Sequence, residues 1–152
     1  MLNNDLVAIA WVSRIPAVAA LATQPPVGGS VPADATSWAA TGFIEVLTTG
    51  GSPDPEYRRR RPVVTAFCWA VKIGSKKPPW SAAGRLAEYI FDACYTEHLT
   101  HALITPVAEG ITYPTAQIQE VNAPLSEPRK VPNDPAGYAR YMIDFEMMWV
   151  QP

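Results

Sequence analysis

One run constrains this chain more than any other: Pro62-Val63-Val64-Thr65-Ala66-Phe67-Cys68-Trp69-Ala70-Val71-Lys72. Val63, Phe67, Trp69 and Val71 share one parity; Val64, Ala66, Cys68 and Ala70 share the other. Successive side chains of a strand point to opposite faces. A strand apolar on both faces must be covered on both, which puts it in the middle of a sheet. Pro62 suits its first position, where no ladder donor is required.

The 152 residues suit one domain over 1–152, large enough to bury a core without disulfides. Charged residues are only 17%, below the usual quarter, which suggests a surface partly covered by partner copies. A net charge of −2 argues against a general nucleic-acid binder. Most of the 16 prolines lie outside the periodic segments and stiffen long loops. Cys68 and Cys94 fall inside predicted elements and read as buried, reduced thiols. The start lacks the pattern of a secretory signal, and no apolar run reaches the length of a membrane span. These features point to a cytosolic protein away from membranes.

The other elements are read around the central strand. Asn3 or Asn4 caps a helix over 5–12, with Leu6, Ile9, Ala10 and Ser13 on one face and Trp11 off it. Pro16 interrupts it, and a short helical piece follows over 17–22. Residues 23–40 read as a long loop. A first strand spans 42–49, and the stretch 50–61 is an extended hairpin arm with a basic base. Residues 74–79 form a turn with Lys76 and Lys77. Ser81 caps a helix over 82–101 whose buried face is Ala83, Leu86, Ala87, Ile90, Phe91 and Cys94. A polar strand over 112–123 belongs at an edge, and 125–137 is loop. The last strand puts Tyr141, Ile143, Phe145, Met147 and Trp149 on one face, and Arg140, Met142, Asp144, Glu146 and Met148 on the other. The expected fold is α+β: a single, mostly antiparallel four-stranded sheet with helices packed on it, in the order α-β-β-α-β-β with long loops.

Few groups carry visible chemistry. Arg58, Arg59, Arg60 and Arg61 form the densest charge, suited to DNA backbone or an acidic partner, or else a solvated arm partly neutralised by Asp54 and Glu56. Trp38 and Trp80 lie in predicted loops and are either exposed contact residues or locally packed. Cys94, His98 and His101 have helical spacing, but a closed zinc site needs a fourth ligand. Asp144 and Glu146 project from one strand face and read as solvent-facing or subunit-facing rather than as an acid–base pair. No nucleophile motif, phosphate loop or dinucleotide fingerprint occurs. The residues therefore point to no enzyme, no metal and no cofactor.

The order of elements, with certain segments, resembles the tail terminator and tail completion proteins of long-tailed bacteriophages, especially those of actinobacterial hosts. The segments are Asp5-Leu6-Val7-Ala8-Ile9 with Ile15-Pro16-Ala17-Val18, the Gly50-Gly51-Ser52 turn, and Arg61-Pro62-Val63-Val64-Thr65-Ala66-Phe67-Cys68-Trp69-Ala70 with the alanine-rich helix after it. The final strand after Tyr138-Ala139-Arg140-Tyr141 completes the set. The resemblance implies a structural virion protein, assembled in the host cytoplasm. It implies a hexameric ring on the end of the tail tube that halts tube growth and joins the tail to the head connector. The implied partners are further copies of the chain, the tail tube protein and the connector or neck proteins, with DNA passing through the lumen. The alternatives are another neck protein, a head-closure or head–tail adaptor, and a small metal-binding enzyme built on the helix-end histidines.

Overall fold

The structure, a computed structural model, describes residues 2–122 and 126–152. The chain begins with helices α1 (Asn4–Arg14) and α2 (Pro16–Ala19). Strand β1 (Val27–Gly28) and a short 3-10 turn (Ala35–Ser37) precede β2 (Phe43–Gly51) and β3 (Pro62–Val71). Helices α3 (Trp80–Ala93) and α4 (Glu97–Thr100) follow. The second half holds β4 (Leu103–Ile104), β5 (Val107–Ala108), β6 (Ile111–Thr112), β7 (Ala116–Asn122), β8 (Arg129–Lys130) and β9 (Tyr138–Val150).

The α+β class holds, but the sheet has seven strands among the described residues rather than four. They run β1-β2-β3-β9-β7-β4, with β8 also on β9. Three of the additional strands are two residues long, too short to show a period. They exist because a neighbour offers a ladder: the Ile44 N–H donates to the Pro26 carbonyl and draws β1 alongside β2 in parallel. The expected strand over 112–123 is two pieces, β6 and β7; position 123 lies outside the described residues, as does the start of the loop expected over 125–137. The loop itself contains β8. The edge reading of β7 holds for its second half, because β4 pairs only with Ala116 and Gln117.

β3 lies between β2 and β9 and begins at Pro62, as its composition requires. Its cover is not symmetrical. Val64, Ala66, Cys68 and Ala70 are buried under the helices, whereas Val63, Phe67, Trp69 and Val71 are only half-buried. The long β9 organises the rest. It pairs with β3 from Tyr138 to Glu146 and with β7 from Glu146 to Val150. Ile143, Phe145, Met147 and Trp149 are fully buried below it, as the alternation predicts.

Two helix readings need correction. The buried face of α1 is Val7, Ala8, Trp11 and Val12; Leu6, Ile9, Ala10 and Ser13 lie outside it. Both faces are apolar, and Trp11 decides: its ring packs against Phe145, tilted, with centres 5.3 Å apart, and its Nε1–H donates to the buried Leu99 carbonyl at 2.8 Å. The helix expected over 82–101 is two helices. Thr96 adopts an extended backbone, its hydroxyl donates back to the Asp92 carbonyl, and the chain restarts as α4. Ser81 lies inside α3; the N-cap is Pro79, which offers no side-chain acceptor.

Candidate functional site

The arginine arm grows out of the β2–β3 hairpin. β2 ends at Gly51, whose φ of +109° and contacts admit no side chain: a Cβ there would sit 2.1 Å from the Arg61 carbonyl oxygen. Asp54 and Arg59 then pair across the arm, Asp54 N–H donating to the Arg59 carbonyl at 3.0 Å. Between them Arg58 takes a left-handed φ of 51°.

The arginines of this arm have different surroundings. The Arg59 guanidinium donates to Asp54 Oδ2 at 2.7 and 3.1 Å and lies 4.9 Å from the Tyr57 ring centre. Its hydrogen bond holds the Asp54 carboxyl below the usual carboxylate range. Arg60 exchanges backbone hydrogen bonds with Trp149 at 2.8 and 3.0 Å, and its guanidinium lies over that indole. It thereby extends the β3 side of β9 by one more rung. Arg61 donates to Glu146 Oε1 at 3.2 Å. Arg58 has no ion pair among the described residues. A depression of about 350 Å³ lies where Asn4, Gly50, Ser52, Arg60 and Arg61 meet.

The other residues singled out from sequence lie apart from the arm. Trp38 is buried, 4% exposed, with its Nε1–H on the Pro32 carbonyl and its ring between Phe43 and Tyr138. Trp80 is half-buried at the start of α3, edge-on to Tyr141. Both are locally packed. Cys94 is buried, which pushes its thiol up to about 12, while His98 and His101 are exposed beyond the helix break. The break removes the common helix face that the spacing suggested. Among the described residues no group of three His, Cys, Asp or Glu is placed to hold a metal ion. Asp144 accepts from Thr65 Oγ1 at 2.6 Å and pairs with Arg129 at 3.0 Å; Glu146 is held by Arg61. Both carboxylates are engaged by arginines.

Sequence reasoning missed a second surface. β5 and β6 form a separate two-stranded hairpin turned by Glu109 and Gly110, both at positive φ. Such a two-residue turn favours Gly at its second position. The Glu109-Gly110 pair between Val107-Ala108 and Ile111-Thr112 was therefore the available signal. Leu103, Val107 and Ile111 are 61%, 65% and 55% exposed. A groove of about 620 Å³ separates this hairpin from the outer face of α1, where Leu6 and Ile9 face Val107 and Ala108 across it.

Among the described residues no helix is long and apolar enough to cross a membrane. Neither protein-family models nor curated proteins match the sequence.

Proposed function

We propose that this chain is a structural subunit of a long-tailed bacteriophage, forming a ring at the end of the tail tube that stops tube polymerisation and joins the tail to the head connector. The observation that carries the reading is the projecting β5–β6 hairpin. A lone two-stranded hairpin gains little stability by itself. This one leaves Val107 and Ile111 mostly in water, beside a groove on the same subunit whose walls mix apolar side chains such as Leu6 and Ile9 with polar ones such as Arg14 and Gln24. Exposed apolar side chains clustered this way favour burial against another protein. The sequence resemblance to tail terminators supplies the identity of that protein: further copies of the chain, six in a ring, and the tail tube below them.

In a ring each subunit uses two different surfaces, closed by rotation. The mechanism is steric, since an occupied tube end accepts no further tube subunit. In this reading the arm at Arg58–Arg61 stands at a subunit contact, with Arg58, exposed and without an ion pair among the described residues, available to the neighbour. The test is mass by light scattering, with negative-stain microscopy of the protein alone and with tail-tube ends. Six-fold rings, free or only on tube ends, support the reading. Val107→Asp with Ile111→Asp abolishes them while leaving the circular dichroism unchanged. Rings that decorate connectors but never tube ends assign the chain to another ring of the neck. A protein that stays monomeric with both overturns the reading.

A further inference from the structure

Three of the arginines in the arm have polar or aromatic partners within the chain; four lysines elsewhere have no anionic one. Lys72, Lys76, Lys77 and Lys130 are all exposed, and none forms an ion pair among the described residues. The fold gathers them at the end of β3 opposite the arginines. Lys72 N–H donates to the Gly137 carbonyl at 2.9 Å, and its own carbonyl accepts from Ser75 N–H at 3.2 Å. Gly137 comes so close that a Cβ on it would lie 2.6 Å from the Ser75 carbonyl oxygen. Lys77 N–H donates to Ser75 Oγ, and Pro78 and Pro79 lead directly into Trp80. Lys130, on β8, places its ammonium 5.0 Å from the Trp80 ring centre. The turn is thus fixed in shape while its ammonium groups stay in water.

The start of α3 adds to the same field. No side chain caps it, and no acidic residue stands in its first turn. The positive end of the helix dipole is left unneutralised beside Lys76, Lys77 and Lys130. Lysines at a helix N-terminus are unfavourable for the fold, because like charge meets the positive end of the dipole. Within the isolated chain Lys130 gains its contact with the Trp80 ring, and Lys76 and Lys77 have no anionic partner among the described residues to offset the dipole.

We propose that this lysine cluster contacts the phosphate backbone of duplex DNA. Both lysine and arginine suit phosphate contact, but Arg59, Arg60 and Arg61 are already engaged within the chain, whereas the four lysines have no anionic partner among the described residues. An uncapped helix end offers backbone N–H groups to phosphate oxygens. Protein interfaces, by contrast, are depleted of lysine at their centres and enriched in aromatic side chains. Here the Trp80 ring is itself covered by Lys130. The inference rests on charge and not on the ring: a monomer that binds DNA keeps it.

The test is fluorescence anisotropy of a labelled, random-sequence duplex of about 20 base pairs, titrated with the full chain between about 50 and 200 mM salt. With four phosphate contacts, wild-type affinity falls on the order of 100-fold across that range. Replacing Lys72, Lys76, Lys77 and Lys130 by Gln removes most of that salt dependence, lowering the slope by about 3–4. Replacing the same four by Arg retains it. Replacing Arg58, Arg59, Arg60 and Arg61 by Ser changes the slope by no more than about one. The proposal is overturned by absence of wild-type binding at the lowest salt, by a Gln variant with the wild-type slope, or by the larger loss in the Ser variant. Tighter wild-type binding to polyglutamate than to the duplex would assign the cluster to an acidic protein surface instead.

Discussion

Trp11→Phe is the substitution that most directly tests how the apolar hairpin is held. Trp11 is 1% exposed, and its Nε1–H donates to the Leu99 carbonyl, 88 residues away. Leu99 lies on α4, immediately before β4 and the hairpin, so this bond ties the hairpin's root to α1. Phenylalanine keeps the ring against Phe145 but cannot donate. The lost volume, roughly 40 Å³ at about 24 cal/mol per Å³, costs about 1 kcal/mol. The buried carbonyl left without a partner costs about 1–3 kcal/mol more. For a chain of this size the sum, about 2–4 kcal/mol, lowers Tm by roughly 4–16 °C. Thermal denaturation followed by circular dichroism gives the total. Native-state hydrogen exchange locates it, with amides of 99–112 losing protection first. A Tm within about 2 °C of wild type, or uniform loss of protection, would refute the reasoning.

Two further outcomes concern the arm. Gly51→Ala must relieve a 2.1 Å approach to backbone and hold φ near +109°, so it destabilises by about 2 kcal/mol or more, read from the urea midpoint. The Asp54 carboxyl has its pKa lowered in the fold, first by the Arg59 hydrogen bond. Its contribution is present above the unfolded value near 3.8 and is lost as pH falls through the lower folded value. Carboxyl chemical shifts followed by NMR check this: Arg59→Gln raises the Asp54 midpoint, and an unmoved midpoint refutes the pairing.

Legibility in the sequence followed the range of the interactions. The long strands were readable because each carries its own period: Ile143, Phe145, Met147 and Trp149 alternate, and burial follows them. β1, β4 and β8 were not readable, because two residues have no period and partners distant in sequence create them. The outer and inner faces of α1 were exchanged because both are apolar, and the deciding group, the Leu99 carbonyl, is a backbone atom that no side-chain pattern encodes. The charges misled for a related reason. Four consecutive arginines look like one basic patch, but three are engaged: Arg59 by Asp54, which the sequence offered within the arm itself, and Arg60 and Arg61 by Trp149 and Glu146 of the distant β9. The lysines at 72, 76, 77 and 130 look scattered, and the turn at Gly137 and the β8 ladder bring them together.

The half-open face of β3 shows what such a strand requires when, among the described residues, no second layer of helices covers it. Phe67 and Trp69 are apolar and sit on the face away from α1 and α3, yet they are not simply bare. The Arg140 guanidinium lies 5.0 Å from the Phe67 ring centre and 4.6 Å from that of Trp69, and it is held there by Asp134 at 3.0 Å. One cation thus covers two aromatic rings. Arg140→Ala uncovers both rings and leaves Asp134, 10% exposed, without its partner. Breaking such a pair and its ring contacts costs about 2–3 kcal/mol, discounted from the fully buried case for partial exposure. Arg140→Met restores aliphatic cover without charge, so it regains the packing part of the loss but not the pairing part. Urea denaturation measures the energies, and binding of an environment-sensitive dye measures the uncovered rings. Dye binding should rise for Arg140→Ala and stay low for Arg140→Met. If Arg140→Ala changes stability by less than about 0.5 kcal/mol, well below the pairing energy, and binds no more dye than wild type, this arginine is not what covers the sheet.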